Sequence, residues 1–181
     1  MAKKKKIAPK ASESTVEAIV EEKAPARAVV TDFVEPVNAA LERDKVWLAC
    51  SGAIIALAAF LRFFMLSLKP LHHDEGVNGF FLTTLFKDGI YKYDPANYHG
   101  PTLYYISVVF AKLFGLETVP VRMSMAIFGV LMVVLVLYLK RYIGKVGTLV
   151  AALFVALSPG MVFISRYFIH EMFFVFCSLA V

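Results

Sequence analysis

The run VWLACSGAIIALAAFLRFFMLSL, residues 46–68, constrains the fold more than any other stretch of the chain. Its 23 residues carry a single charge, Arg62, and about 20 helical residues cross a hydrocarbon layer of roughly 30 Å. Backbone N–H and C=O groups find no water in that layer, so a run of this kind is confined to a helix that pairs them internally. Trp47 suits an interfacial anchor at the start of this span. Two later runs are also long enough: 119–142, which contains AIFGVLMVVLVLYL, and 147–167, which contains TLVAALFVALSPGMVFIS. A last run, MFFVFCSLAV at 172–181, has ten residues and reads as an incomplete fourth span, which makes the chain an N-terminal fragment. With 59% hydrophobic residues the chain is more apolar than soluble domains are. The expected fold class is an all-α polytopic protein of the cell membrane.

The net charge of +5 does not point to nucleic acid. The cations gather in the first 45 positions and at Lys140, Arg141 and Lys145, as topology signals do. Residues 1–44, rich in Lys, Glu, Ala and Pro with no run that could build a core, read as a disordered cytoplasmic tail. No apolar segment follows KKKK closely enough for a secretory signal. Cys50 and Cys177 lie far apart in apolar runs and read as free thiols.

The segment TLYYISVVFAKLFG, 102–115, gives about 21 Å of helix, short of a span, and Lys112 interrupts it. Were it to cross, the basic turn at 140–145 would fall outside the cytoplasm, so it is placed in the outer interface. The tail and basic turn are then cytoplasmic, residues 69–118 form a long outer loop carrying interfacial helices, and 166–171 form a second outer end. The four histidines, His72, His73, His99 and His170, all fall on the outer side.

That loop opens with LHHDEGVNGFF, 71–81. A helix is expected from Asp74 to Lys87, ended by Gly89, with Val77, Phe80, Phe81 and Leu85 as an apolar face lying on the membrane. Asp74 and Glu75 have two readings: an N-cap with a first-turn acid, or a catalytic pair whose pKa the apolar boundary and mutual repulsion raise. SRYFIHEM offers Arg166, His170 and Glu171, with Arg166 and His170 four apart on one helix face, and could converge with HHDE on one site. Oxygen and imidazole ligands of this kind also suit a divalent cation. YKYDPANYHGPTLYY supplies either an interfacial aromatic belt or a sugar pocket containing Asp94, Tyr98 and His99. Arg62 either snorkels to the interface or meets a phosphate.

The order LRFFMLSLKPLHHDE, YDPANYHGPTLYY, VPVRMSMAIFGV and SPGMVFISRYFIHEM resembles the start of the membrane glycosyltransferases of the GT-C fold. Within them it is similar to the dolichyl-phosphate-mannose protein mannosyltransferase-like group, family 39, and its prokaryotic flippase-activity-associated subfamily. The resemblance covers residues 46–181. It implies an extracytoplasmic active site, a polyprenyl-phosphate-linked sugar as donor, an acceptor hydroxyl on a protein, lipid or glycan, and inversion at the anomeric carbon. It places catalysis on Asp74 and Glu75, a second acidic motif on His170 and Glu171, and phosphate contacts on Arg62, Arg122 and Arg166. His73, Tyr98 and His99 would line the substrate pocket. A divalent cation, if used, would meet Asp74 and Glu171. The family's later spans are missing, so the fragment by itself is expected to be inactive. A lipid-linked sugar flippase component or transporter is the alternative, although 124–139 carries no charge of the kind a transport path needs. A non-catalytic scaffold subunit is a third class.

Overall fold

The computed structural model describes residues 39, 43–97 and 99–181, so the expected tail lies almost wholly outside the described residues. Every regular element among them is an α-helix: α1 Asp44–Phe63, α2 His73–Asp88, α3 Thr102–Phe114, α4 Thr118–Tyr138, α5 Lys140–Leu157, α6 Pro159–Ser165 and α7 His170–Ala180. By length and composition α1 and α4 can each cross a bilayer, and α5 with α6 makes a third candidate as a pair bent by 61°. The chain is a membrane protein. Much of its apolar surface stays outward, with Phe60, Phe64, Phe154 and Phe174 each more than half exposed.

Long-range contacts fix the path of the bundle. Trp47 at the start of α1 meets Lys140, just past the end of α4, while Arg122 near the start of α4 reaches Leu66 beyond the end of α1. These two helices therefore run antiparallel. α5 returns beside α1, since Trp47 Nε1 donates to the Lys145 carbonyl and Arg62 reaches the carbonyls of Val155 and Ala156.

The first and third spans differ from expectation, each for a backbone reason. The helix of the first stops at Phe63, and residues 64–68 are irregular, with Met65 at φ 52°. The third is broken at Ser158–Pro159. Pro159 has no N–H, so the Val155 carbonyl loses its partner one turn on. The Arg62 guanidinium replaces it, donating to Val155 at 3.1 Å, Ala156 at 3.3 Å and Ala58 at 3.2 Å. Arg62 is wholly buried and turns inward to these carbonyls, so the snorkelling alternative does not hold. Ser158 caps α6 by accepting from Met161 N–H. Gly129 of α4 is required here: a Cβ on it would stand 2.5 Å from Ser165 Cβ and 2.7 Å from Arg62 Nε.

α2 begins where the sequence suggested, but its cap is His72 and not Asp74. His72 Nδ1 accepts from Asp74 N–H at 3.4 Å, and Glu75 Oε2 accepts from His72 N–H at 3.0 Å, a reciprocal capping box. Gly89, at φ 76°, ends the helix with its N–H on the Leu85 carbonyl. The buried stripe is Glu75, Asn78, Leu82 and Leu85. Val77 and Phe80 of the expected membrane face are exposed, whereas Leu85 is buried, and a polar pair leads the inward stripe because Arg122 and Tyr104 answer it. α3 packs Leu103, Tyr104, Ser107, Val108 and Ala111 inward, and Ser107 and Ser124 share a hydrogen bond of 3.0 Å that ties it to α4. Cys50 and Cys177 are free.

Candidate active site

At the end of the bundle where α1 finishes, the polar residues of both expected outer segments meet. Arg122 organises them. Its Nε donates to Glu75 Oε1 at 2.8 Å and its Nη2 to Glu75 Oε2 at 2.7 Å. Its remaining donors go to the carbonyls of Leu66 at 2.6 Å, Lys69 at 3.0 Å and Pro70 at 3.1 Å. All five guanidinium N–H groups are thereby used. They satisfy carbonyls that the unwound chain after α1 leaves without helical partners.

Glu75 is 1% exposed and accepts two further bonds, from Phe168 N–H at 2.9 Å and from His72 N–H. Burial alone would raise its carboxyl. Arg122 and the two backbone N–H groups outweigh burial and hold it below the usual glutamate range. The expected upward shift is therefore reversed for Glu75, because the acid pair splits: Glu75 turns inward to a guanidinium, whereas Asp74 stays at the surface. The Asp74 side chain is 66% exposed, with His72 Nδ1 at 3.5 Å.

Asp74 lines a cleft of ≈ 150 Å³ together with Val77, Asn78, Asn97, His99, Ile169, His170 and Glu171. Residues almost a hundred positions apart thus share one wall. His99 and His170 stack with centroids 4.2 Å apart and planes 9° from parallel. His170 is 6% exposed and its Nε2 has no hydrogen-bond partner. Burial, with His99 beside it, pushes the imidazole down to about 4, so it is neutral at pH 7. A buried relay backs the cleft: Asn97 donates to Tyr104 Oη at 3.3 Å, Tyr104 O–H to Asn78 Oδ1 at 2.9 Å, and Asn78 Nδ2 to the Phe168 carbonyl at 3.0 Å. Tyr91 stacks on Tyr104 at 5.0 Å and holds the His99 carbonyl through its O–H.

A second, cationic cleft of ≈ 90 Å³ is lined by Met65, Leu66, Leu68, Lys69, Arg122, Phe163, Arg166 and Tyr167. Arg166 gives Nη1 to the Leu61 carbonyl at 2.7 Å and Nη2 to that of Met65 at 3.1 Å, which leaves N–H groups for a ligand. The Glu75–Arg122 ion pair connects with both clefts. Arg122 lines the cationic one, and Asp74, adjacent to Glu75, lines the acidic one.

The remaining predicted residues are placed as follows. Arg166 and His170 do not share a helix face, because Arg166 caps α6 while His170 opens α7. His73 borders an open apolar shelf with Leu71, His72, Gly76, Val77 and Phe80, apart from His99. Asp94 accepts from Ala96 N–H in a turn and does not line the acidic cleft. Tyr98 lies outside the described residues. Asp74 and Glu171 line one cleft, yet among the described residues no group of three His, Cys, Asp or Glu side chains could hold a metal ion. Sequence reasoning missed Asn78, Tyr104 and Lys69. An Asn three residues after Glu75, on the same helix face, was the available signal for the first.

No curated protein and no solved structure matches the chain. Residues 98–181, which carry His99, Arg122, Arg166, His170 and Glu171 but not Asp74 or Glu75, match the family model described as dolichyl-phosphate-mannose-protein mannosyltransferase.

Proposed function

We infer that this end of the bundle belongs to a membrane glycosyltransferase of the GT-C type. It would move a sugar from a polyprenyl-phosphate donor to an acceptor hydroxyl on the extracytoplasmic face, with inversion. The family match supports the activity class. The observation that carries the site is an acidic cleft, with Asp74, His170 and Glu171, and a cationic cleft, with Lys69 and Arg166, connected through one buried ion pair.

In this reading Asp74 takes the proton of the acceptor hydroxyl. The acceptor oxygen forms a bond to the anomeric carbon as the bond from that carbon to the phosphate oxygen breaks, and the lipid phosphate leaves with the electron pair. Arg166 and Lys69 meet the charge that develops on the phosphate. His99, neutral His170 and Glu171 border the sugar. Glu75 and Arg122 are positioning residues, since every oxygen and N–H they carry is already bonded within the protein. Arg62, sealed against the broken span, is likewise a positioning residue and not a phosphate contact.

The test presents labelled polyprenyl-phosphate sugars to membranes containing the protein, and measures label in acceptor material and label carried across the bilayer separately. Transfer to an acceptor supports the enzyme. Translocation of intact lipid-linked sugar without transfer would replace it with a flippase component.

A further inference from the structure

The opposite end of the bundle carries a groove with no part in sugar transfer. It lies between α1 and α4 and is lined by Trp47, Leu48, Ser51, Ile55, Val134, Leu137, Tyr138 and Lys140, with a volume of ≈ 260 Å³. Its mouth is basic. Among the described residues, Lys140 lines it, Arg141 follows Lys140 in the chain, Lys45 precedes Trp47 by two positions, and Lys145 engages Asp44 at 3.2 Å. Lys140 and Arg141 are exposed, and Lys140 Nζ sits 4.5 Å from the centroid of the Trp47 ring. The ring is anchored in turn through Nε1 on the Lys145 carbonyl at 3.2 Å. One helical turn, about 6 Å, further along α1, Ser51 is 4% exposed and its Oγ has no hydrogen-bond partner.

We propose that this groove is a binding site for an anionic membrane phospholipid. One acyl chain lies along Leu48, Ile55, Val134 and Leu137, and the phosphate meets Lys140 and Arg141. Ser51 donates its unused O–H to an ester carbonyl, the lipid group that sits just beneath the phosphate. The order of chemistry down the groove is that of such a lipid, with cations and an indole at the mouth, one hydroxyl below them and hydrocarbon beyond. An apolar groove alone would take any chain. The surplus of cations at its mouth selects a negative headgroup, each contributing about 1 kcal/mol near a charged surface, or about fivefold in binding.

Trp47 is the single tryptophan of the chain, so its fluorescence reports this groove without a label. The full chain is reconstituted in bilayers and titrated with phosphatidylglycerol or phosphatidylcholine brominated on the acyl chains, which quench on contact. Phosphatidylglycerol should reach half-quenching at about tenfold lower mole fraction. The Lys140→Gln and Arg141→Gln double variant should bring the two lipids together. Raising salt from 50 to 500 mM on the unaltered protein should shrink the preference, a result that holds even if the variant misfolds. Ser51→Ala should weaken quenching by both lipids alike. Equal quenching by the two lipids in the unaltered protein would overturn the proposal. So would absence of quenching by either, which would mean that another segment or a second copy covers the groove.

Discussion

Glu75 and Asp74 show how one step along a chain separates two roles. Glu75 receives a guanidinium, two backbone N–H groups and no solvent, so removing its charge strands Arg122 in a buried site. Glu75→Gln should destabilise the protein by about 3 kcal/mol, measured by denaturant unfolding in detergent. Its pH dependence has a definite sign. A carboxyl held below its ordinary value contributes stability that is complete above about pH 4.3 and is lost as pH falls through the lower, folded-state value. Unfolding free energy should therefore decline from pH 5 toward pH 3, and Glu75→Gln should flatten that decline. His170 carries a depressed imidazole, and its contribution is likewise present above about pH 6.5 and lost on acidification. Its ring should stay neutral between pH 8 and pH 5, which nitrogen chemical shifts of labelled histidine would report; a titration near 6.5 would contradict the burial that His99 and Tyr104 create.

At the scale of helices, the break in the third span and Arg62 are one device. Pro159 leaves a carbonyl without a donor and Arg62 supplies one. Arg62→Met should cost several kcal/mol, and adding Pro159→Ala, which returns an N–H to the Val155 carbonyl, should recover part of that loss. A double-mutant cycle with a coupling of about 1 kcal/mol or more is expected, and additivity would contradict the linkage. Gly129 is the steric counterpart. Gly129→Val should destabilise by about 1–3 kcal/mol, whereas Gly52→Ala, with nothing within 4 Å of the added Cβ, should be neutral or stabilising. Hydropathy located the long apolar helices α1 and α4, and Gly89 marked the end of α2, because both signals are local. The bend at Ser158–Pro159 was written in the letters SPG yet lay inside an apolar run, and apolarity says nothing about a missing N–H. The inward stripe of α2 was not legible for a similar reason. Its first two members are polar, and they face inward only because Arg122 and Tyr104, 47 and 26 residues away, answer them.

For the molecule as a whole, antiparallel α1 and α4 separate two chemistries by the length of a span, about 30 Å. Lys45, Lys140, Arg141 and Lys145 stand at one end, and Asp74, His99, His170 and Glu171 at the other. With Cys50 and Cys177 replaced, Ala96→Cys and Tyr142→Cys should react with a membrane-impermeant thiol reagent from opposite faces of a sealed vesicle. The convergence of LHHDEG with FIHEM could be anticipated from composition. Which carboxylate faces the cleft could not, since that depends on Arg122 claiming Glu75. The most direct measurement of the account is the rate of sugar transfer by Asp74→Asn in membranes, set beside its unfolding temperature. The account predicts a fall of about 100-fold or more with the donor KM within a few-fold and the unfolding temperature unchanged. Transfer at the unaltered rate, or a loss that tracks unfolding, would remove Asp74 from the chemistry and with it the assigned site.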